Sequence, residues 1–370
     1  MSPVGAVVKR QPDEYTLRER YRASQVDAPM QQLKIEAPVE YGSDRNGLVW
    51  GYRFEPGKPA VPVTSDQVAA ELAATRDTGT FYWLHFSLAN AGTERWLRQF
   101  TTMPEAFYSE FHTPSSATRV EQDDEALVAV INDVALDLQN DIADVSPVTL
   151  GVRPGLLISA RRKPLRSIDR LREWVRSGLV CRSPVALLTR LLEYQALVLT
   201  EIVRKTNAQV DAIEDNVFTA RTSGRNRAEL SVLRRQLVRM QRLLAPEPAA
   251  MFRLLNRPPH WMHEDDSQEV RHSAEDFAAV VADCATLVER AKLIQEELTA
   301  MVNEQTNRSL FLLTVVTVML LPFNVVGGLF GMNVEGIPFA KDPSGFWIVI
   351  FVVTVLTVLV GRVLARRFRR

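Results

Sequence analysis

From Ser309 to Gly331 the chain reads SLFLLTVVTVMLLPFNVVGGLFG, 23 residues without one ionisable side chain. A second run, GFWIVIFVVTVLTVLVG, spans Gly345 to Gly361, and Val363 to Ala365 prolong it past Arg362. A helix rises 1.5 Å per residue, so about 20 apolar residues cross a hydrocarbon core of roughly 30 Å. Two such runs in succession point to a pair of transmembrane helices rather than to buried core helices. Phe346 and Trp347 open the second run where an interfacial aromatic belt belongs. Arg366, Arg367, Arg369 and Arg370 follow it, whereas the 13-residue loop between the runs holds only Glu335, Lys341 and Asp342. That charge bias places the C-terminus in the cytoplasm, and two crossings return the chain to its starting side. The expectation is a multi-pass protein of the plasma (inner) membrane with both termini cytoplasmic.

Averages over the 370 residues hide this. Hydrophobic content is 46%, charged content 24% and formal net charge zero, because the apolar residues crowd into the last 60 or so positions. The neutral balance and the lack of a long basic run before the C-terminus argue against nucleic acid as a partner. Cys181 and Cys284 are too few for a disulfide framework and read as small buried apolar residues. Residues 1–37 show no charged-then-apolar pattern, so no cleavable export segment is expected.

Upstream of the first membrane run nothing interrupts a helix from Ser267 to Gly331 except Pro322, which a membrane helix tolerates. Phe277, Val280, Cys284, Leu287, Ala291, Ile294, Leu298 and Met301 recur in steps of three and four, the seam of a long packed stalk. Two further helical stretches precede it, Pro184 to Arg221 after the candidate cap Ser183, and Arg227 to Leu255 with Pro246 and Pro248 inside. Earlier, residues 47–54, 80–88, 126–138 and 155–159 read as strands, with helical pieces at 65–76 and 93–111. The fold class is therefore α+β: a cytoplasmic α/β domain, then long stalk helices, then two C-terminal transmembrane helices. The expected divisions are a mobile tail at 1–45, the α/β domain at 46–165 and the helical stalk region at 166–308. The first transmembrane helix then covers 309–331, the outer loop 332–344, the second helix 345–365 and the basic tail 366–370.

Asn303, Asn307, Leu310, Thr314, Thr317, Leu321, Asn324 and Gly328 fall on one face of the long helix, nearly opposite the stalk seam. Two readings of this stripe stand open. It lines a polar path, or its threonines bond back to their own helix while Asn324 joins neighbouring helices.

At the outer end of the first run stands Gly331-Met332-Asn333. This tripeptide, after a long stalk and before a short loop to a second membrane helix, resembles the signature of the CorA superfamily of divalent-cation transporters. The stretch from Leu321 to Pro338, notably its Gly336-Ile337-Pro338, is similar to the ZntB branch. So are Trp83-Leu84-His85-Phe86 and Leu233-Arg234-Arg235-Gln236-Leu237 with Met240 and Ala245-Pro246. Glu335 departs from this, since some ZntB sequences carry glycine there and CorA proteins commonly carry glutamate. The resemblance implies a homopentamer whose first membrane helices line a central pore for zinc, or for magnesium, nickel, cobalt or cadmium. It places the selectivity filter and ion entry at Gly331, Met332, Asn333 and Glu335, and the pore lining along the stripe. The stripe offers amide and hydroxyl oxygens and no thiolate, imidazole or carboxylate, which suits a largely hydrated cation. Glu335 would add negative charge at the mouth. Proton coupling, if present, would enter through Glu335 or through Glu296 and Glu304, because neither membrane run holds a titratable group.

Other features carry less. His260, His263 and Asp265 form the densest set of metal-ligand types, a weak cytoplasmic metal candidate next to prolines and an acid-rich helix start. His85 and His112 read as structural and His272 as part of a polar stalk face. Residues 225–257 hold eight arginines against two glutamates, whereas 264–304 is acidic, so pairing between neighbouring helices is expected, with electrostatic control of ion entry as the sharper alternative. No nucleophilic triad, phosphate-cradling loop or paired-carboxylate site stands out, so neither an enzyme nor a cofactor is expected. The rivals to zinc transport are a magnesium or cobalt channel of the CorA branch and, from another class, a membrane-anchored scaffold or sensor.

Overall fold

Apolar residues from Leu48 onward, turned alternately to either side, build a sheet covered on both faces. The computed structural model describes residues 42–74, 79–112, 117–123, 125–136, 144–178, 180–217, 223–332 and 344–367. Seven strands occur there: β1 (Leu48–Phe54), β2 (Val61–Val63), β3 (Phe81–Ser87), β4 (Arg119–Asp123), β5 (Ala126–Val134), β6 (Val145–Arg153) and β7 (Leu156–Arg161). They form one sheet in the order β2-β1-β3-β7-β6-β5-β4, antiparallel except for the parallel pair β3–β7. Period two sorts their side chains. Tyr82, Leu84 and Phe86 turn to a face covered by α1 (Ser65–Ala74), α2 (Gly92–Phe100) and α3 (Glu105–His112). Phe81, Trp83, Leu127, Ala129 and Ile131 turn to the other. There they meet α4 (Arg166–Arg176), the start of α5 (Pro184–Val217) and α7 (Pro246–Asn256). α6 (Ser223–Leu244), α8 (Glu264–Phe330) and α9 (Gly345–Arg367) complete the described elements.

The expected strands and helices are present, with instructive differences. The helical piece expected at 93–111 is two helices, because Pro104 follows the extended Thr101 and a proline cannot continue the ladder. The strand expected to reach Leu138 runs to Val134, with Ala135 making one bridge to Leu165. Three strands, β2, β4 and β6, and helix α4 were not foreseen. β6 holds Pro147 and Gly151, both breakers by local rules. Pro147 stands opposite Asn132 and has no N–H to give. The Asn132 carbonyl instead accepts from Gln195 Nε2 (2.9 Å), and its N–H donates to Glu247 Oε1 (2.5 Å). Gly151 is needed for another reason: a Cβ there would lie 3.0 Å from Met103 Sδ and 3.1 Å from the Phe107 ring.

Asp133, next to Asn132 on β5, caps α4 from a distant strand. Its carboxylate accepts from Ser167 N (3.0 Å), Ser167 Oγ (2.6 Å) and Val134 N (2.7 Å). Burial outweighs those bonds and pushes Asp133 up to about 6, and burial lifts the fully enclosed Glu247 well above its usual range.

Candidate pore-lining face

Helix α8 is continuous over 67 residues, about 100 Å at the standard rise. Its lower part is packed. Phe277, Val280, Cys284, Leu287, Ala291, Ile294 and Leu298 are buried against Ala196, Leu199, Val210 and Ile213 of α5 and Leu230, Leu237, Met240 and Leu244 of α6. Met301 packs partly against the same cluster, so the seam read from spacing holds along its whole length. Arg290 clamps α8 to α5 through Asp211 (2.6 Å) and Glu214. At the base, Asp266 accepts from Arg182 (3.0 Å) and from Ser183 Oγ, whose own oxygen caps α5 at Ala186 N (2.9 Å).

The upper part is bare. Leu310, Leu312, Leu313, Val316, Leu320, Leu321, Phe323 and Val325 are all exposed, as are most apolar residues of α9. So much unshielded apolar surface requires lipid or other protein around it. α9 packs along the side of α8 marked by the half-buried Phe311, Val315, Val318, Pro322 and Val326. On that side it places the buried Val353 and the half-buried Val349, Thr357 and Gly361, where a Cβ would lie 3.0 Å from Met319 Cε. Pro322 removes one backbone N–H from the helix ladder, yet α8 continues through it.

Asn303, Asn307, Leu310, Thr314, Thr317, Leu321, Asn324 and Gly328 are every one exposed. At 100° per residue their line lies roughly a third of a turn from the α9 contact, so the chain's own second membrane helix does not cover it. Thr314 Oγ donates to Leu310 O and Thr317 Oγ to Leu313 O, both at 2.9 Å, as the simpler reading expected. This does not remove them from solvent. A hydroxyl whose proton is spent on the helix turns outward as an acceptor, which is what the water hydrogens around a cation require. The asparagine amides of the stripe make no hydrogen bond within the described residues. Gly328 faces open space, with no atom within 4 Å of a built Cβ.

The exposed line also extends downward, below the eight residues of the stripe. Below Asn303 it continues through Ala300, Glu296, Leu293 and Glu289, with Leu293 61% exposed despite its position on the stalk. The signal was the same three-and-four stepping, carried below the membrane run. At the upper end α8 stops at Phe330. Gly331 N–H donates back to Gly327 O (2.9 Å) and Met332 is exposed. Asn333, Glu335, the Gly-Ile-Pro at 336–338 and the arginines at 369–370 lie outside the described residues.

The remaining candidates resolve as structure. His85 is fully buried and stacked on Trp50 at 4.1 Å. Arg161 Nε donates to its Nε2 (2.9 Å), so Nδ1 carries the proton and donates to Ser159 Oγ (2.7 Å). Burial and the neighbouring Arg161 and Arg172 hold it well below the usual histidine range, and therefore neutral. His112 pairs with Glu94 at 3.0 Å and His272 lies 3.7 Å from Asp276, both exposed. Burial pushes Cys181 and Cys284 up to about 11, leaving them protonated. His260, His263 and Asp265 sit exposed around the entry to α8, and among the described residues no three His, Cys, Asp or Glu gather as a metal site. The expected pairing of the 225–257 arginines with the 264–304 acids is a correction. Among the described ion pairs that arginine set contributes Arg239, and its partner is Asp144 beside β6. The α8 acids Asp266 and Glu269 pair with Arg182, and Glu289 with Lys292.

A mixed sheet domain, a helix running without a break into an unshielded apolar span, and a second apolar helix beside it define a membrane protein with a soluble domain and two spans. Residues 78–367 match the family model described as CorA-like Mg2+ transporter protein, and the chain belongs to the CorA family of divalent-cation transporters. It is 26% identical over 311 residues to the divalent cation transporter CmaX of Pseudomonas aeruginosa, covering 82% of this chain and 91% of that one. It is 24% identical over 281 residues to the zinc transport protein ZntB of Pectobacterium carotovorum, covering 76% and 84%. The structure of full-length CmaX superposes with a TM-score of 0.73 at 24% identity, over 88% of this chain and 99% of that chain.

Proposed function

We propose that the protein carries zinc across the plasma membrane as a largely hydrated ion, along a pore enclosed by the stripe faces of five copies. The observation that supports this most is the bare line from Asn303 to Gly328, which the chain's own α9 leaves uncovered. One helix pair cannot enclose a path, so a closed ring must supply the other walls. Facing acceptors of Asn303, Asn307, Thr314, Thr317 and Asn324 suit the hydration shell, and none binds tightly enough to trap the ion. Asn333 and Met332 at the outer end form the filter, with Glu335 concentrating cations before entry. Glu296 and Glu289 do the same at the cytoplasmic end, on the face that the lower stalk also leaves open. Residues 46–165 and the stalk lie in the cytoplasm, as the basic C-terminus requires. Zinc rests on the likeness to ZntB proteins, and on a stripe without the nitrogen and sulfur ligands that would hold bare zinc.

The test is flux into liposomes holding the purified protein, with zinc and magnesium offered separately. Zinc entry well above empty liposomes supports the proposal. Magnesium entry alone assigns the ion to the CorA branch, and entry of neither ion favours a scaffold. A transport-competent monomer or dimer by native mass measurement would overturn the ring.

A further inference from the structure

With no carboxylate partner from α8 among the described ion pairs, positive charge stands along α6. Arg234, Arg235, Arg239 and Arg242 line a groove of about 540 Å3 between α6 and α8, within the usual size range of a small-ligand site. Arg235 and Arg242 are exposed and meet no carboxylate among the described residues. Arg239 meets Asp144 at 3.0 Å. Arg234 spends one nitrogen on Gln295 Oε1 (3.0 Å), while its Nε is buried with no acceptor. α8 is acidic along this stretch, yet the side chain it presents here is the neutral Gln295, itself held by Ser231 Oγ (3.2 Å). Its neighbours Glu296 and Glu297 point to solvent. Arg235 and Arg239 are four apart and Arg239 and Arg242 three apart, spacings at which like charges destabilise a helix. Asp144 answers Arg239, which leaves Arg235 and Arg242, two turns apart on one face, as the charges that a bound anion would satisfy.

We propose that this groove binds a condensed phosphate, either the phosphate chain of a nucleotide or an inorganic polyphosphate. Guanidinium forks match phosphate oxygens two at a time, and the row from Arg235 to Arg242 extends about 10 Å, more than a single phosphate spans. A lipid headgroup is out of reach. Gln295 lies 14 residues below Ser309, about 21 Å along the helix, against a screening length of about 8 Å.

The experiment is calorimetric titration of the full-length protein in detergent, at physiological salt and with a chelator present, using tripolyphosphate, ATP and AMP. Tripolyphosphate and ATP should saturate one site per chain, with AMP at least tenfold weaker. Either equal binding of the first two, which assigns the phosphate chain alone, or a preference for ATP, which assigns a nucleotide, supports the site. Arg235→Gln/Arg242→Gln should weaken binding at least tenfold, Arg235→Lys/Arg242→Lys by less, and the exposed Arg253→Gln not at all. No heat at millimolar ligand, or equal loss in Arg253→Gln, overturns the proposal. So does a drop in oligomer mass in the Gln pair, which would make the groove a contact between copies.

Discussion

The two halves of α8 share one helix geometry and one three-and-four periodicity, yet their apolar residues meet opposite fates. Below Met301 the seam finds partners in α5 and α6 of the same chain, and Leu298 is 1% exposed. Above Asn307 residues of the same type, Leu310 and Leu313 among them, are more than half exposed. Periodicity reports that a face wants covering; it does not say what covers it. The lower half is satisfied within the chain, and the upper half depends on a cover from outside it. Substitutions in the two halves should accordingly fail in different assays.

The sharpest contrast is Leu298→Ala against Leu321→Ala. Truncating the buried leucine should cost about 2–5 kcal/mol and lower the melting temperature of the detergent-solubilised protein. Leu321→Ala should leave melting nearly unchanged, and equal losses at both positions would erase the distinction. Next in size, Asn333→Ala should cut zinc uptake tenfold or more, about 1.4 kcal/mol, with assembly intact by native mass measurement. Uptake near wild type would remove Asn333 from the filter.

The third test uses pH, because Ser309–Phe330 holds no titratable group whereas the sheet–helix junction buries two acids. Asp133 is raised to about 6 and Glu247 well above the usual carboxylate range, both by burial. A raised folded value means that the stabilising contribution is full below the unfolded carboxylate range and is lost as pH climbs through the folded one. Glu247→Gln should match wild type near pH 4 and gain on it by up to about 1.4 kcal/mol per pH unit above the ordinary carboxylate range. Parallel stability curves for the two proteins would show that Glu247 is ionised in the fold. Smallest of all, Thr317→Ala should slow uptake less than about twofold, since water can replace a hydroxyl that donates to its own helix. A tenfold loss would make that hydroxyl a direct ligand of the ion.

Much of this architecture was legible in the residues. Long-range periodicity carried the stalk seam, the two spans and the uncovered stripe, because a helix writes its faces at fixed steps. What escaped depends on partners far away in sequence. β6 was hidden by Pro147 and Gly151, each tolerated through residues on other elements: Gln195 and Glu247, which take up Asn132, and the close approach of Met103. Nothing near Asp133 announces that it caps a helix 34 residues on. The arginine pairing was misjudged because composition counts charges without saying which way they point. Of the candidate site, the stripe was readable as a face, and its extension to Glu296, Leu293 and Glu289 was readable too had the steps been continued.

The unbroken run of α8 has a mechanical side. From Glu264 to Thr317 the helix contains no proline and no break, so it has no hinge to absorb a twist. A rotation at its foot, where Asp266 is gripped by Arg182 and Ser183, would pass along the helix toward Asn303 and Thr317 against the hold of Arg290 and the packed seam. The soluble domain and the membrane span are thus joined through one helix, and softening it between Phe277 and Met301 would weaken that link without touching either end.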